Sequence, residues 1–201
     1  MQEILEKLEI SRYEPEFIPE LEKVFMDNLY NIDAATCLLK LYQLNPEKEN
    51  IEIVHKILSL ALPNTAEFWL CFMLVSAEIK THQSLQVLIQ INRLLEHCQF
   101  TDLWELMNNL PDTKISPEIL NPKIRDYIKS LLLITYQSIN KSDIKQFLSI
   151  NDDELNKLIE ENNWGSDQET IIFPKPTTKP QVKIDIGIDI SRISTVFSKM
   201  D

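Results

Sequence analysis

Residues 141–173 read KSDIKQFLSINDDELNKLIEENNWGSDQETIIF, and this stretch decides the fold. Apolar residues at helical spacing predict a short helix over 142–150 and a second over 152–164, separated by a tight turn. Gly165 is read as the stop of the second helix, and Thr170-Ile171-Ile172-Phe173 is a compact apolar run of strand type. Helix, tight turn, helix, strand is the order of a winged-helix module. In a module of that kind the second helix is the one that enters a DNA groove, so its charge bears directly on the choice of partner.

That helix carries Asp152, Asp153, Glu154, Glu160 and Glu161 against one basic residue, Lys157. A surface of this sign repels phosphate, and sequence-specific DNA is not expected as a partner. The three leading acids complement a helix macrodipole, which accounts for them without catalysis. Positive charge gathers only further on, at Lys175, Lys179 and Lys183. There Pro174, Pro176 and Pro180 make 174–181 an extended loop in the position of a wing. These lysines are candidate RNA contacts, with an ordinary solvated loop as the alternative. Residues 182–186 alternate like a half-buried strand suited to pair with 170–173. Ile190, Ile193, Phe197 and Met200 then fall on one face of an amphipathic tail helix, with Asp189 as its cap.

Upstream of this block, residues 13–139 repeat one theme, an apolar stripe at helical spacing followed by a short break. Phe17, Leu21, Val24, Phe25 and Leu29 define one helix. Asp33 is placed as the cap of the next, over 34–44, which is apolar on most sides and belongs between neighbours. Ile51, Val54 and Leu58 mark a third, ended before Pro63. Thr65 caps a helix over 66–80, and Val87, Leu88, Ile91, Leu94, Leu95 and Cys98 mark the next. Thr101 caps a shorter one holding Trp104. Brief connections make consecutive helices antiparallel neighbours, a stack of hairpins of the HEAT-like kind. Pro111, Pro117 and Pro122 place a boundary near residue 121, before a long helix with Ile124, Tyr127, Ile128, Leu131, Ile134 and Thr135 inward. The chain therefore divides into a helical-repeat domain over 1–121, a winged helix over 122–186 and a tail helix over 187–201.

Composition excludes several kinds of chemistry. With only two glycines, Gly165 and Gly187, no phosphate-cradling loop or dinucleotide fingerprint can be assembled. The net charge of −11 opposes general affinity for nucleic acid. No apolar run is long enough to span a membrane, and the acidic start Met1-Gln2-Glu3-Ile4 is not that of a secretory signal. Cys37, Cys71 and Cys98 are far apart without a CxxC spacing, which predicts buried reduced thiols rather than disulfides or zinc. His55, His82 and His97 lack partners at metal-ligand spacing. No catalytic motif, metal or cofactor is expected, and the chain is read as cytoplasmic and not an enzyme. What remains is surface for proteins: the strand Ile171, Ile172 and Phe173 as an edge, and Ile190, Ile193 and Phe197 on the tail. Packing within the chain is the alternative for both.

Helical hairpins leading into a terminal winged helix resemble the PCI-domain plan of scaffold subunits in the proteasome lid, the COP9 signalosome and translation initiation factor three. The nearer resemblance is to the k-subunit family of eukaryotic translation initiation factor three. It rests on Arg12-Tyr13-Glu14-Pro15-Glu16, on the block from Leu38 to Pro46, and on Leu94-Leu95-Glu96-His97-Cys98-Gln99-Phe100 with Trp104. It also rests on Ile134-Thr135-Tyr136-Gln137-Ser138-Ile139, on Trp164-Gly165, and on Ile171 with Phe173. The resemblance implies a non-catalytic assembly subunit in protein synthesis initiation. In that family winged helices pack side by side and C-terminal helices join a shared bundle. The partners it implies are the l and e subunits, with the small ribosomal subunit reached indirectly.

Overall fold

The computed structural model describes Leu8 and residues 13–109 and 117–174. Lys175, Lys179, Lys183, Ile190, Ile193 and Phe197, with the expected strand over 182–186, lie outside the described residues. The protein is mainly helical. After a 3-10 turn at Pro15–Phe17 come α1 (Ile18–Met26), α2 (Ile32–Leu44), α3 (Ile51–Ala61) and α4 (Thr65–Leu74). The one-turn α5 (Ala77–Lys80) leads to α6 (Gln83–Glu96), α7 (Phe100–Asn108) and α8 (Pro117–Thr135).

Helix starts are set by asparagines more than by the residues expected. Asn31 caps α2, its Oδ1 accepting from the Ala34 amide at 3.0 Å, so Asp33 sits inside the first turn. Asn64 caps α4 in the same way through the Glu67 amide at 3.3 Å, which displaces Thr65 to the first helical position. Asn50 serves α3. An extended backbone at the cap aims a short side-chain acceptor at the second or third amide, and asparagine does this as well as any residue. Helix α7 starts at Phe100, one residue before Thr101, with no side-chain cap. The helix expected over 66–80 is broken at Val75, which turns extended so that Ser76 can cap α5.

Ends follow a second rule. Asn28, Cys98, Ser149 and Asn163 all take positive φ, between 50° and 58°. Each closes a paired set of amide-to-carbonyl bonds at a helix C-terminus, as in Cys98 to Leu95 and Gln99 to Leu94. This position usually takes glycine, and a chain with two glycines fills it with asparagine, serine and cysteine instead. Cys98 at one of these turns is exposed, contrary to the expectation of three buried thiols, whereas Cys37 and Cys71 are buried.

Helix α8 runs through Pro122, so the boundary expected near residue 121 falls inside a helix. Pro122 is its sixth residue, in the second turn, so the helix forgoes one amide bond there, the one that would reach the Glu118 carbonyl. Its buried stripe is Leu120, Ile124, Ile128 and Leu132 at four-residue spacing. That stripe leaves Ile134 on the far side at 80% exposure, and Thr135 is exposed with it. The helix then stops, and Ser138–Asn140, expected as helix, becomes β1. Helices α9 (Lys141–Leu148) and α10 (Asp152–Glu161) follow, then β2 (Gly165–Ser166) and β3 (Thr170–Ile172). The sheet order is β1-β3-β2, antiparallel throughout. One cluster of buried apolar side chains extends from the first helices to Phe173.

Candidate interaction surface

Strand β3 is central, not an edge. Ile171 stands opposite Ile139 in β1, and both point inward, 0% and 6% exposed. Phe173 is buried edge-on against Trp164, ring centroids 5.0 Å apart. Two of the three strand residues expected at an edge are thus held in the protein's own core. The reason is pairing: β1, which sequence periodicity assigned to a helix, takes one side of β3, and β2 takes the other. Ile172 is the exception at 52% exposure. It faces outward between Ser138 of β1 and Gly165 of β2, so small neighbours leave the isoleucine prominent on a flat face.

Gly165 has a different role from a helix stop. It has no positive φ, and α10 ends earlier, with Asn163 in the left-handed turn. A Cβ at Gly165 would lie 3.3 Å from Ile172 Cβ, so glycine lets β2 approach β3 closely without displacing that side chain. The hairpin between these strands turns at Asp167, Gln168 and Glu169, where the Asp167 amide donates to the Thr170 carbonyl at 2.9 Å. In the described residues the turn joining paired strands is therefore acidic and short, and it precedes the 174–181 loop expected as a wing.

Helix α10 carries a full capping box. Asn151 accepts from the Glu154 amide at 2.8 Å, and Glu154 accepts from the Asn151 amide at 3.2 Å. Asp152 pairs with Lys145 at 2.8 Å. Only Leu155 of this helix is fully buried, and its outward side carries the acids read from the sequence. A phosphate backbone brought to this side would meet like charge.

The helix–sheet unit is seated on the preceding helices by a compact joint. Trp104 Nε1 in α7 donates to the Phe147 carbonyl at 2.8 Å. Arg125 in α8 donates from Nε to Leu148 O and from Nη2 to Ser149 O, both at 3.0 Å. Its guanidinium lies 5.5 Å from the Trp104 ring. Phe100 meets Phe147 edge-on, and Gln146 donates to Thr101 Oγ1 at 3.1 Å. A cation at the end of α9 answers both orphan carbonyls and the negative pole of the helix. Nothing in the sequence singles out Arg125, because its acceptors are backbone atoms 23 and 24 residues away.

Titratable groups in the interior are displaced by burial. Burial pushes the Cys71 thiol up to about 11, with a further upward push from Glu67 and a lowering influence from the neighbouring Tyr30 hydroxyl. The phenols of Tyr30 and Tyr42 are raised well above their ordinary range, desolvation being the largest cause in each. The Tyr42 hydroxyl donates to the Glu22 carboxylate. Desolvation lowers Lys123. Among the described residues no group of three or more His, Cys, Asp or Glu is placed to hold a metal ion. Nor is any described helix long and apolar enough to cross a membrane.

A profile of the CSN8/PSMD8/EIF3K family matches residues 48–183. The chain belongs to this family. Its members include proteins named eukaryotic translation initiation factor 3 subunit K. One from Culex quinquefasciatus is 30% identical over 179 residues, covering 86% of this chain and 80% of its own length. One from Nematostella vectensis is 29% identical over 171 residues, 82% of this chain and 79% of its own. The human relative is 26% identical over 199 residues, 94% of this chain and 91% of its own. The family match thus spans α3 to β3, including the joint and the sheet.

Proposed function

We propose that this protein is a non-catalytic scaffold subunit of the eukaryotic translation initiation factor three complex, acting in the cytoplasm in protein synthesis initiation. The observation that carries this reading is the similarity to subunit K proteins along nearly the whole chain, from insects to human. The proposed architecture is a helical-repeat region over 1–121, a winged helix over 122–186 and a tail helix over 187–201. Its support is the placement of α9 and α10 between β1 and β2 with sheet order β1-β3-β2, the winged-helix arrangement. The winged helix serves as a joint between subunits, with Ile172 on its outer face. The apolar stripe Ile190, Ile193 and Phe197 on the tail supplies the second contact. The l and e subunits are the proposed neighbours, and the small ribosomal subunit is met through the complex.

The test is purification of the tagged protein from cytosol followed by mass spectrometry. Other factor-three subunits should come with it, and Ile172→Asp combined with Phe197→Asp should reduce their recovery while circular dichroism stays close to wild type. Recovery of proteasome-lid or signalosome subunits alone would remove this assignment. RNA binding that weakens steeply with salt and disappears on neutralising Lys175, Lys179 and Lys183 would instead favour a direct RNA contact.

A further inference from the structure

Between α8 and the turn that joins α3 to α4 lies a cleft of about 580 Å³. That is the size of a small-molecule site, roughly 300–1,000 Å³. Leu60 and Pro63 give it an apolar wall, Tyr30 and Tyr127 add two rings, and Lys123 and Glu67 bring opposite charges. Lys123 is the unusual member. It is partly buried, burial lowers its pKa, and no carboxylate counters that shift. Among the described residues its ammonium meets neither an acid nor a carbonyl, whereas Lys129 is paired with Asp126 and Lys145 with Asp152. A charge withdrawn from water without a partner costs free energy.

Glu67 lines the same cleft, with its carboxylate beside Tyr30 and Cys71, both of which it raises. The Tyr30 hydroxyl is buried there without a hydrogen bond of good geometry. Glu67 does not neutralise Lys123, which is displaced by burial alone. The cleft therefore holds two opposite charges that do not reach each other, beside an apolar wall. An apolar guest would leave both charges desolvated and unpaired. A simple anion would meet Lys123 but bring like charge to Glu67, and a simple cation would do the reverse. A molecule carrying both charges satisfies both side chains.

We propose that this cleft binds a zwitterion of the amino-acid or short-peptide type, its carboxylate on Lys123, its ammonium on Glu67 and an apolar side chain against Leu60 and Pro63. The site is separate from the winged helix and does not depend on membership of a larger assembly. The probes are leucine and leucyl-leucine, titrated into the full-length protein by isothermal titration calorimetry, each beside its C-terminal amide and its N-acetyl form. Binding of either free probe supports the site, and the tighter of the two sets the length it takes. Capping either end should weaken binding by about tenfold or more, the loss of one charge-assisted contact. In Lys123→Gln the amide should bind as well as the free form while the N-acetyl form stays weak, and in Glu67→Gln the pattern should reverse. Lys123→Arg should keep the wild-type order. In the wild-type protein, acetylation of Lys123 by acetic anhydride, located by mass spectrometry, should slow with the free probe and not with its amide. Should a variant lose every form together, the wild-type series and this protection decide. Absence of binding by both free probes at millimolar concentration, indifference to either cap, or a Lys123 acetylation rate that the free probe leaves unmoved overturns the proposal. So does tighter binding of the amide, which assigns the effect to general attraction by the net charge of −11. Tighter binding of the N-acetyl form overturns it too, since the cleft would then be a site for simple anions.

Discussion

Ile171 and Ile172 are adjacent in the chain and opposite in consequence, which makes the pair Ile171→Asp and Ile172→Asp a direct test of the sheet's two faces. Ile171 is fully buried against Ile139. Truncating such a side chain costs about 2–5 kcal/mol, and the aspartate carboxyl adds a burial penalty of about 1–3 kcal/mol even if it takes up a proton. The sum, about 3–8 kcal/mol, approaches the whole stability of an ordinary domain, about 5–15 kcal/mol. Ile172 is half exposed, so roughly half of the 1.5–3 kcal/mol for full burial is at stake, about 1 kcal/mol. Loss of β preference adds up to about 1 kcal/mol. The expected cost of Ile172→Asp is therefore about 1–2 kcal/mol, a fall in Tm of roughly 2–8 °C for a protein of this size. Urea unfolding followed by circular dichroism measures both. Ile171→Asp should be largely unfolded or strongly shifted, and Ile172→Asp folded but poor in partner recovery. Equal losses of stability in the two variants would refute the assignment of faces.

Arg125→Met keeps the aliphatic stem but removes two charge-assisted bonds and the contact with Trp104. With partial solvent exposure this should cost about 2–3 kcal/mol, read as a drop in urea midpoint, and Arg125→Lys should recover only part of it. Ser149→Gly should stabilise by about 0.5–1 kcal/mol, since relief of a left-handed residue exceeds the added chain entropy; a lower Tm would contradict the geometry. Raised folded values for Cys71, Tyr30 and Tyr42 mean that the unfolded chain loses these protons first as pH rises. Stability should be fully present below about pH 9 and decline toward pH 11, the Cys71→Ala variant showing a shallower decline in a thermal-melt series. In the native protein a thiol reagent should modify Cys98 rapidly, with Cys37 and Cys71 reacting only on unfolding; rapid native labelling of Cys71 would contradict its burial.

Periodicity located nearly all of the described helices, because an apolar stripe at helical spacing is a local property and survives any packing. It failed where the deciding partner was distant. Residues 138–140 continue a helical pattern, and only pairing with 170–172 makes them a strand. That pairing also moved β3 from edge to centre, and with it Ile171 and Phe173 from surface to core. Cap assignments slipped by one or two residues because asparagine, serine, threonine and aspartate compete for the same role, and local backbone geometry selects the winner.

The acidity of α10 was fully legible, since charge on an outward helix face needs no tertiary information. Arg125 was not, because a bond to backbone carbonyls leaves no trace in side-chain patterns. Helix α4 lies between the two cases. Its all-round apolar composition is plain in the sequence and suggests enclosure, yet the turn at Val75 and the positions of α2, α3 and α6 leave Leu70 and Met73 uncovered.

A mainly helical chain, the poverty of glycine that shapes its helix ends, and the acidic second helix that argues against a nucleic-acid groove are all legible in the residues alone. These follow from composition and from contacts a few residues apart. The tertiary structure alone decided which apolar residues are core and which are surface. Exposure depends on which elements meet across the fold, and in this protein a three-residue strand settles that question for Ile171 and Ile172.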